Sequence, residues 1–208
     1  MSDLPGASES KRERAAAKRR SLILEAAMIC FLERGYHQSG VRDIAKQAGV
    51  SLGNLYNHFP GKHDVLVEIA AVERTELEPI LKLLKKPKPA RAVLNQFVSK
   101  YAALVAEPEN VILTIEIASE AIRKPDIGEL FLTNRNELVR ALEAVIKRGT
   151  AEGDFRTMPN AHEAAQHIIE LIDGSAYRSV LSEIAMRKLL NNLNDFIFAA
   201  LEVKPRRT

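Results

Sequence analysis

Between residues 35 and 61 the chain is punctuated too closely for a long regular element. Gly35, Gly40, Gly49, Gly53, Pro60 and Gly61 all fall in this stretch, and Gly and Pro are the strongest local breakers of helices and strands. Two short helices fit between the breaks better than any strand. The first is Val41–Ala48, with Val41, Ile44, Ala45 and Ala48 on its inner face. Gly49-Val50-Ser51 then makes a turn: Gly49 supplies a positive φ, Val50 plugs the core, and Ser51 caps a second helix, Leu52–His58. A helix, a short turn containing Gly and a second short helix form the helix-turn-helix pattern.

The flanks are also helical. A three-and-four spacing of Ile23, Ala26, Ala27, Cys30 and Phe31 predicts a helix from about Ala15 to Arg34, ended by Gly35. A helix is predicted from Lys62 to about Leu77. Pro79 interrupts it by removing the hydrogen bond to the Thr75 carbonyl, so a kink or restart is expected there. Lys85–Arg91 reads as an exposed connector. Four further segments follow: Ala90–Glu107, Glu109–Arg123, Asp126–Thr150, punctuated by Gly149 and Gly153, and Ala161–Leu201, broken near Ser182. With no alternating strand pattern anywhere, the fold class is all-α. The expected organisation is a disordered basic tail over 1–14, a helix-turn-helix unit over 15–62, a connecting helix over 63–84 and a helical body over 85–208.

Charge separates head from body. Residues 1–63 hold ten Lys/Arg against six Asp/Glu, whereas the remainder holds 20 against 21, so a net charge of +3 conceals a basic head on a neutral body. An anionic partner at one end follows, with nucleic acid ahead of a membrane surface. The run Lys11–Arg20 carries six of those charges, and is either a solvated face or an arm for the minor groove. A single Cys, Cys30, excludes an internal disulfide and suggests a reducing, cytoplasmic setting. It lies on an apolar helix face and reads as a small core residue. No apolar run of about 18 residues is available to span a bilayer, and Glu25 breaks the apolar stretch from Leu22 to Leu32 that follows Arg19-Arg20, so no signal peptide is expected.

The segment Gly35-Tyr-His-Gln-Ser-Gly-Val-Arg-Asp-Ile-Ala-Lys-Gln-Ala-Gly-Val-Ser-Leu-Gly-Asn-Leu-Tyr-Asn-His-Phe-Pro-Gly-Lys62 resembles the DNA-binding signature of TetR-family (tetracycline-repressor-like) transcriptional regulators. The turn, the Leu-Tyr-x-His-Phe ending and the following Lys all fall in register. The residue chemistry points the same way. A helix entering the major groove needs small or polar residues at its leading end, which Ser51, Gly53 and Asn54 provide, and Asn can pair with an adenine edge. Arg42 is placed to reach a phosphate or a guanine. Tyr56, Asn57, His58 and Lys62 complete the expected DNA-contact set, Tyr56, His58 and Lys62 as phosphate donors. By themselves Tyr56 and His58 fit packing as well as contact; the resemblance moves them toward contact. Leu52 stands where the family usually has a polar residue, and is read as touching a thymine methyl. Gly40 stands where Ser or Thr is common, which leaves the cap of the supporting helix to Ser39 or to no side chain.

The resemblance implies a body that dimerises and binds a small molecule; no cofactor or metal is expected. From the residues, Glu109–Arg123 is apolar around nearly its whole circumference and is expected to be central and buried. Glu116 and Glu120 then form an acidic stripe on a buried helix. Either they pair with an Arg or Lys of a neighbouring helix, the favoured reading, or they recognise a cationic ligand in a pocket with Phe97, Tyr101 and Phe131. Two apolar stripes close the chain, Ala164 to Ala176 and Leu189 to Leu201. They fit ordinary core, but in the family the last two helices of each subunit form a four-helix bundle, which assigns Ile168, Ile172, Leu189, Leu193, Phe196 and Ile197 to a homodimer interface. Two-fold symmetry then implies a palindromic DNA operator. Ligand binding would act through the helix starting at Lys62, with Pro79 as its bend. An architectural DNA binder without a ligand is the alternative class. An enzyme is not expected: there is no phosphate loop, metal-ligand spacing or nucleophile motif, and His162 and His167 are five apart, out of line on a helix face.

Overall fold

The computed structural model describes residues 6–202. Within them lie α1 (Gly6–Arg34), α2 (Val41–Gln47), α3 (Leu52–Tyr56), α4 (Lys62–Leu84), α5 (Ala90–Val105), α6 (Pro108–Arg123), α7 (Pro125–Glu152), α8 (Ala161–Leu181) and α9 (Met186–Leu201). No strand is present among the described residues; the one bridge, Phe155 with Glu202, ties the α7–α8 link to the end of α9. No helix in this range is long and apolar enough to cross a membrane.

Two boundaries differ from the sequence reading by more than two residues. α1 begins at Gly6 rather than Ala15, so the expected tail is helical from there on, while its first five residues lie outside the described range. Ala15, Ala16 and Ala17 flanked by Lys, Arg and Glu are strong helix formers, and nothing after Pro5 breaks them. α4 neither stops nor restarts at Pro79 but runs on to Leu84. Ile80, Leu81, Leu83 and Leu84 are all buried, and burial of each such side chain is worth about 1.5–3 kcal/mol, which together outweighs the roughly 3 kcal/mol cost of an internal proline.

Two apolar cores are built. One gathers α1, α2, α3 and the first turns of α4 around Phe31, Ile44, Leu55 and Phe59; the other gathers the end of α4 with α5, α7, α8 and α9 around Phe97, Leu94, Leu138 and Phe155. The cores meet rather than stand apart, because Ile117 of α6 and Ile127 of α7 belong to the first. Gly149 lies inside α7, not at its end. A Cβ there would fall 2.1 Å from the Phe155 ring, so the glycine makes the room into which that buried ring folds.

α6 is not the central helix its composition suggests. Ile112, Ile115 and Ile122 are 38%, 48% and 86% exposed. Its apolar residues border a cavity on one side and solvent on another, so an all-round apolar helix here marks a boundary, not a centre.

Candidate nucleic-acid interface and ligand cavity

The helix-turn-helix forms as its residues dictate. Val50 N–H donates to Ala45 O at 3.0 Å and Gly49 N–H to Lys46 O at 3.2 Å, closing the turn. Gly49 takes φ +66°, a conformation that side chains with a Cβ rarely adopt. The Ser51 hydroxyl accepts from Asn54 N–H at 3.2 Å and caps α3. No side chain caps α2 from Gly40; instead the Asp43 carboxylate accepts from Gly40 N–H at 2.9 Å. Ser39 is fully buried, its hydroxyl within donating distance of Cys30 O and Gly35 O, so it pins the end of α1.

Of the residues expected at DNA, Arg42, Ser51, Gly53, Tyr56 and Asn57 are exposed, whereas Leu52, Asn54, His58 and Lys62 are partly buried. Leu52 packs against the core of the unit. Asn54 Oδ1 has no hydrogen-bond partner among the described residues. The Lys62 ammonium points inward: it donates to Tyr36 O at 2.6 Å and sits 4.0 Å from the Tyr36 ring centre, and burial lowers its pKa. Its geometry is that of an internal strut.

Arg20 is a second strut, and composition hid it inside the basic run. Its guanidinium lies 4.3 Å from the Phe59 ring centre, donates to His58 O at 2.8 Å and pairs with Glu68 at 2.7 Å. One side chain thereby joins α1, the end of α3 and α4.

Glu116 and Glu120 reach the DNA-reading unit from α6. The Glu116 carboxylate accepts from Tyr36 N–H at 2.8 Å, and lies against Gly35, where φ is +80°. Glu120, 1% exposed, is ion-paired with His37 and with Lys124, the latter at 3.1 Å. The turn between α1 and α2 is therefore held by the body of the protein.

Neither glutamate lines the cavity. That cavity, about 490 Å³, lies among α4, α5, α6, α7 and α8, and is lined by Tyr101 and Phe131 of the expected ligand residues. Phe97 is fully buried in the adjoining core, stacked on Tyr101 with ring centres 5.4 Å apart. The polar groups that do face the cavity are Glu73 and Glu76 of α4, Asn110 and Thr114 of α6, Arg135 of α7, and Asp173 and Tyr177 of α8. Asp173 accepts from the Tyr101 hydroxyl at 3.0 Å and from Arg135 at 2.7 Å. Glu73 accepts from Asn134 Nδ2 at 2.9 Å. The sequence signal for these groups is an ionisable residue at an apolar-stripe position. Glu73 falls between Ile69, Val72 and Leu77, Arg135 between Phe131 and Leu138, and Asp173 between Ile169, Ile172 and Ala176.

Four of the six residues expected at a dimer interface face inward within one chain: Ile168, Ile172, Leu193 and Ile197 are buried in the main core. Leu189 is half-buried and Phe196 is 62% exposed. The large apolar side chains that α8 and α9 leave exposed are Leu171, Leu181 and Phe196 instead. The stripes are wide enough to serve the core, and only their outer edge remains free.

A helix-turn-helix carried on an all-helical, cavity-bearing body is the architecture of a DNA-binding transcriptional regulator. Residues 23–69 match the model for bacterial regulatory proteins of the tetR family, and residues 92–202 match the C-terminal domain of AefR-like transcriptional repressors. The chain belongs to the TetR family of transcriptional regulators and is not an enzyme. It is 27% identical over 165 residues to the fatty acid metabolism regulator protein of Bacillus subtilis, covering 77% of this chain and 83% of that one. It is 29% identical over 168 residues to the repressor BepR of Brucella suis, covering 76% and 79%. A solved structure of a putative transcriptional regulator from Saccharomonospora viridis, in complex with choline, superposes with a TM-score of 0.78 at 26% identity, covering 90% of this chain and all of that one.

Burial raises the pKa of Glu73, and the Asn134 hydrogen bond opposes it only in part. A raised carboxyl holds its proton more tightly in the folded than in the unfolded chain. Ionising it costs stability, a cost that sets in as pH rises above the ordinary carboxylate range and through the raised value. Glu73→Gln, which keeps an acceptor for Asn134, is expected to melt at or above the parent at neutral pH, with the difference narrowing in acid. A melting midpoint below the parent at neutral pH would contradict that sign.

Proposed function

We propose that the chain acts as a homodimeric repressor that is released from a palindromic operator when a small molecule occupies the cavity. The observation that carries this reading is the double duty of α6. Its Leu113, Thr114, Ile117 and Ala121 line the cavity, while Glu116 and Glu120 of the same turns hold Tyr36 and His37 of the DNA-reading unit. A ligand that displaces α6 must move that turn. In energetic terms it binds the DNA-incompetent spacing more tightly than the competent one.

At the DNA, Ser51 and Gly53 face base edges, and Asn54 reaches an adenine edge once its side chain turns out from its half-buried position, where Oδ1 is closed to solvent and has no partner among the described residues. Arg42, Tyr56 and Asn57 approach phosphates, and Lys62 and Leu52 support the unit from inside. The choline complex of the Saccharomonospora viridis protein supports the use of such a body for a small molecule.

The open face of α8 and α9 supplies the second copy's seat. Gly174 lies one turn beyond Leu171 on exposed helix surface, where a Cβ would meet nothing in this chain. Glycine at such a site costs about 1 kcal/mol relative to Ala, and close approach by a partner helix is a use for it. Phe196→Asp is accordingly expected to give a monomer in sedimentation, with operator affinity down by more than about a hundredfold because half of the site is lost. A dimer that persists would move the interface elsewhere.

The coupling is tested at Glu116. Selection from a random DNA pool yields the operator, and a metabolite and drug panel yields a releasing compound. Glu116→Ala leaves Tyr36 N–H without its acceptor, at a cost of about 1–3 kcal/mol. The variant is expected to bind the releasing compound with parental affinity yet need at least about tenfold more of it to free the operator. Parental release would remove α6 from the mechanism, and a panel in which nothing releases the operator would favour a constitutive binder.

A further inference from the structure

The polar groups of the cavity are unequal in charge, and that inequality selects a class of ligand. Arg135 is the cation that faces the cavity among the described residues, and it is already neutralised by Asp173 at 2.7 Å. Asp173 is filled in turn by Arg135 and the Tyr101 hydroxyl. Glu73 is different. It is set into the apolar wall between Ile69, Val72 and Leu77, accepts from the neutral Asn134 amide, and has no cation within ion-pair distance among the described residues. Glu76 adds a second carboxylate to the same wall.

An anion entering this space would find Arg135, the positive group that faces it among the described residues, occupied by Asp173, and would lie in the field of two carboxylates that have no ion pair among those residues. A cation would meet Glu73 directly, and Tyr101, Tyr177 and Phe131, which line the same cavity, add the aromatic surface that favours positive charge. The remaining wall, including Leu104, Leu113 and Leu138, is apolar. A volume of about 490 Å³ suits one drug-sized molecule. Resting on the ligand-responsive reading above, we infer that the cavity takes a lipophilic organic monocation, an amine or quaternary ammonium on an apolar body, with Glu73 as its counter-charge. Burying the carboxylate is costly while the site is empty, which fits a residue retained for binding rather than for folding.

The test uses the full-length chain and three probes of equal chain length, decyltrimethylammonium, decanol and decanoate, each titrated calorimetrically below its micelle concentration. The ammonium is expected to bind at least about tenfold tighter than decanol, a difference of about 1.4 kcal/mol, and decanoate more weakly than decanol. In Glu73→Gln the preference of ammonium over decanol should collapse to within about twofold, with a melting curve recorded alongside to show that the variant is folded. Decanoate binding as tightly as the ammonium, no binding by any of the three, or a folded Glu73→Gln that keeps the full preference would each overturn the inference. Operator release separates this from the reading beneath it: decanoate freeing the operator sinks the cationic class alone and leaves a ligand-released regulator standing.

Discussion

Tyr36 carries the connections on which the DNA-reading unit depends. The turn that leaves α1 cannot satisfy its own backbone there: the Tyr36 amide finds its acceptor in Glu116 of α6, and its carbonyl finds a donor in Lys62 at the start of α4. The ring packs edge-on against Phe31 at 5.2 Å and lies under the Lys62 ammonium. A buried peptide group left unpaired costs about 1–3 kcal/mol, so the unit gains a fixed orientation only by being held from the body. The constraint that positions the reader is thus the same one that exposes it to events in the body.

That dependence explains why the two cores interpenetrate. Ile117 and Ile127 come from α6 and α7 yet complete the core around Phe31 and Phe59. A division into a reader ending at residue 62 and a body beginning at 85 follows the sequence order, but the packing assigns α6 to both. α4 contributes in the same way: Val65 and Leu66 belong to the reader, and Leu81 and Leu84 to the body, along one helix that passes through Pro79 unbroken.

Local patterns were legible and long-range partners were not. The Gly49-Val50-Ser51 turn, the Ser51 cap and the inward Ile44, Ala45 and Leu55 could be read because turn chemistry and helical period act within a few residues. Lys62 and Arg20 could not, since a Lys or Arg at the edge of a basic segment looks the same whether it faces phosphate or a carbonyl 26 or 38 residues away. Glu116 and Glu120 read as charges needing partners, but apart from Lys124, one turn on from Glu120, the partners lie on the turn between α1 and α2, at Tyr36 and His37. The cavity needed three helices to be superposed: Glu73, Arg135 and Asp173 each interrupt an apolar stripe, and no single stripe shows that the three converge. The stripes of α8 and α9 mixed core with surface, because an apolar face wide enough for both is not divided by its period.

The central claim is that occupancy of the cavity alters the spacing of two recognition helices through α6, and that spacing can be measured directly. Gln47 is exposed at the end of α2, and the single native cysteine, Cys30, is buried. A spin label at Gln47→Cys in the dimer therefore reports the distance between the two readers. With operator bound, one narrow distance is predicted, set by recognition helices about 34–36 Å apart; with a releasing ligand, a distribution displaced by several ångströms is predicted. Identical distributions with and without the ligand, under conditions where the operator is freed, would contradict the account.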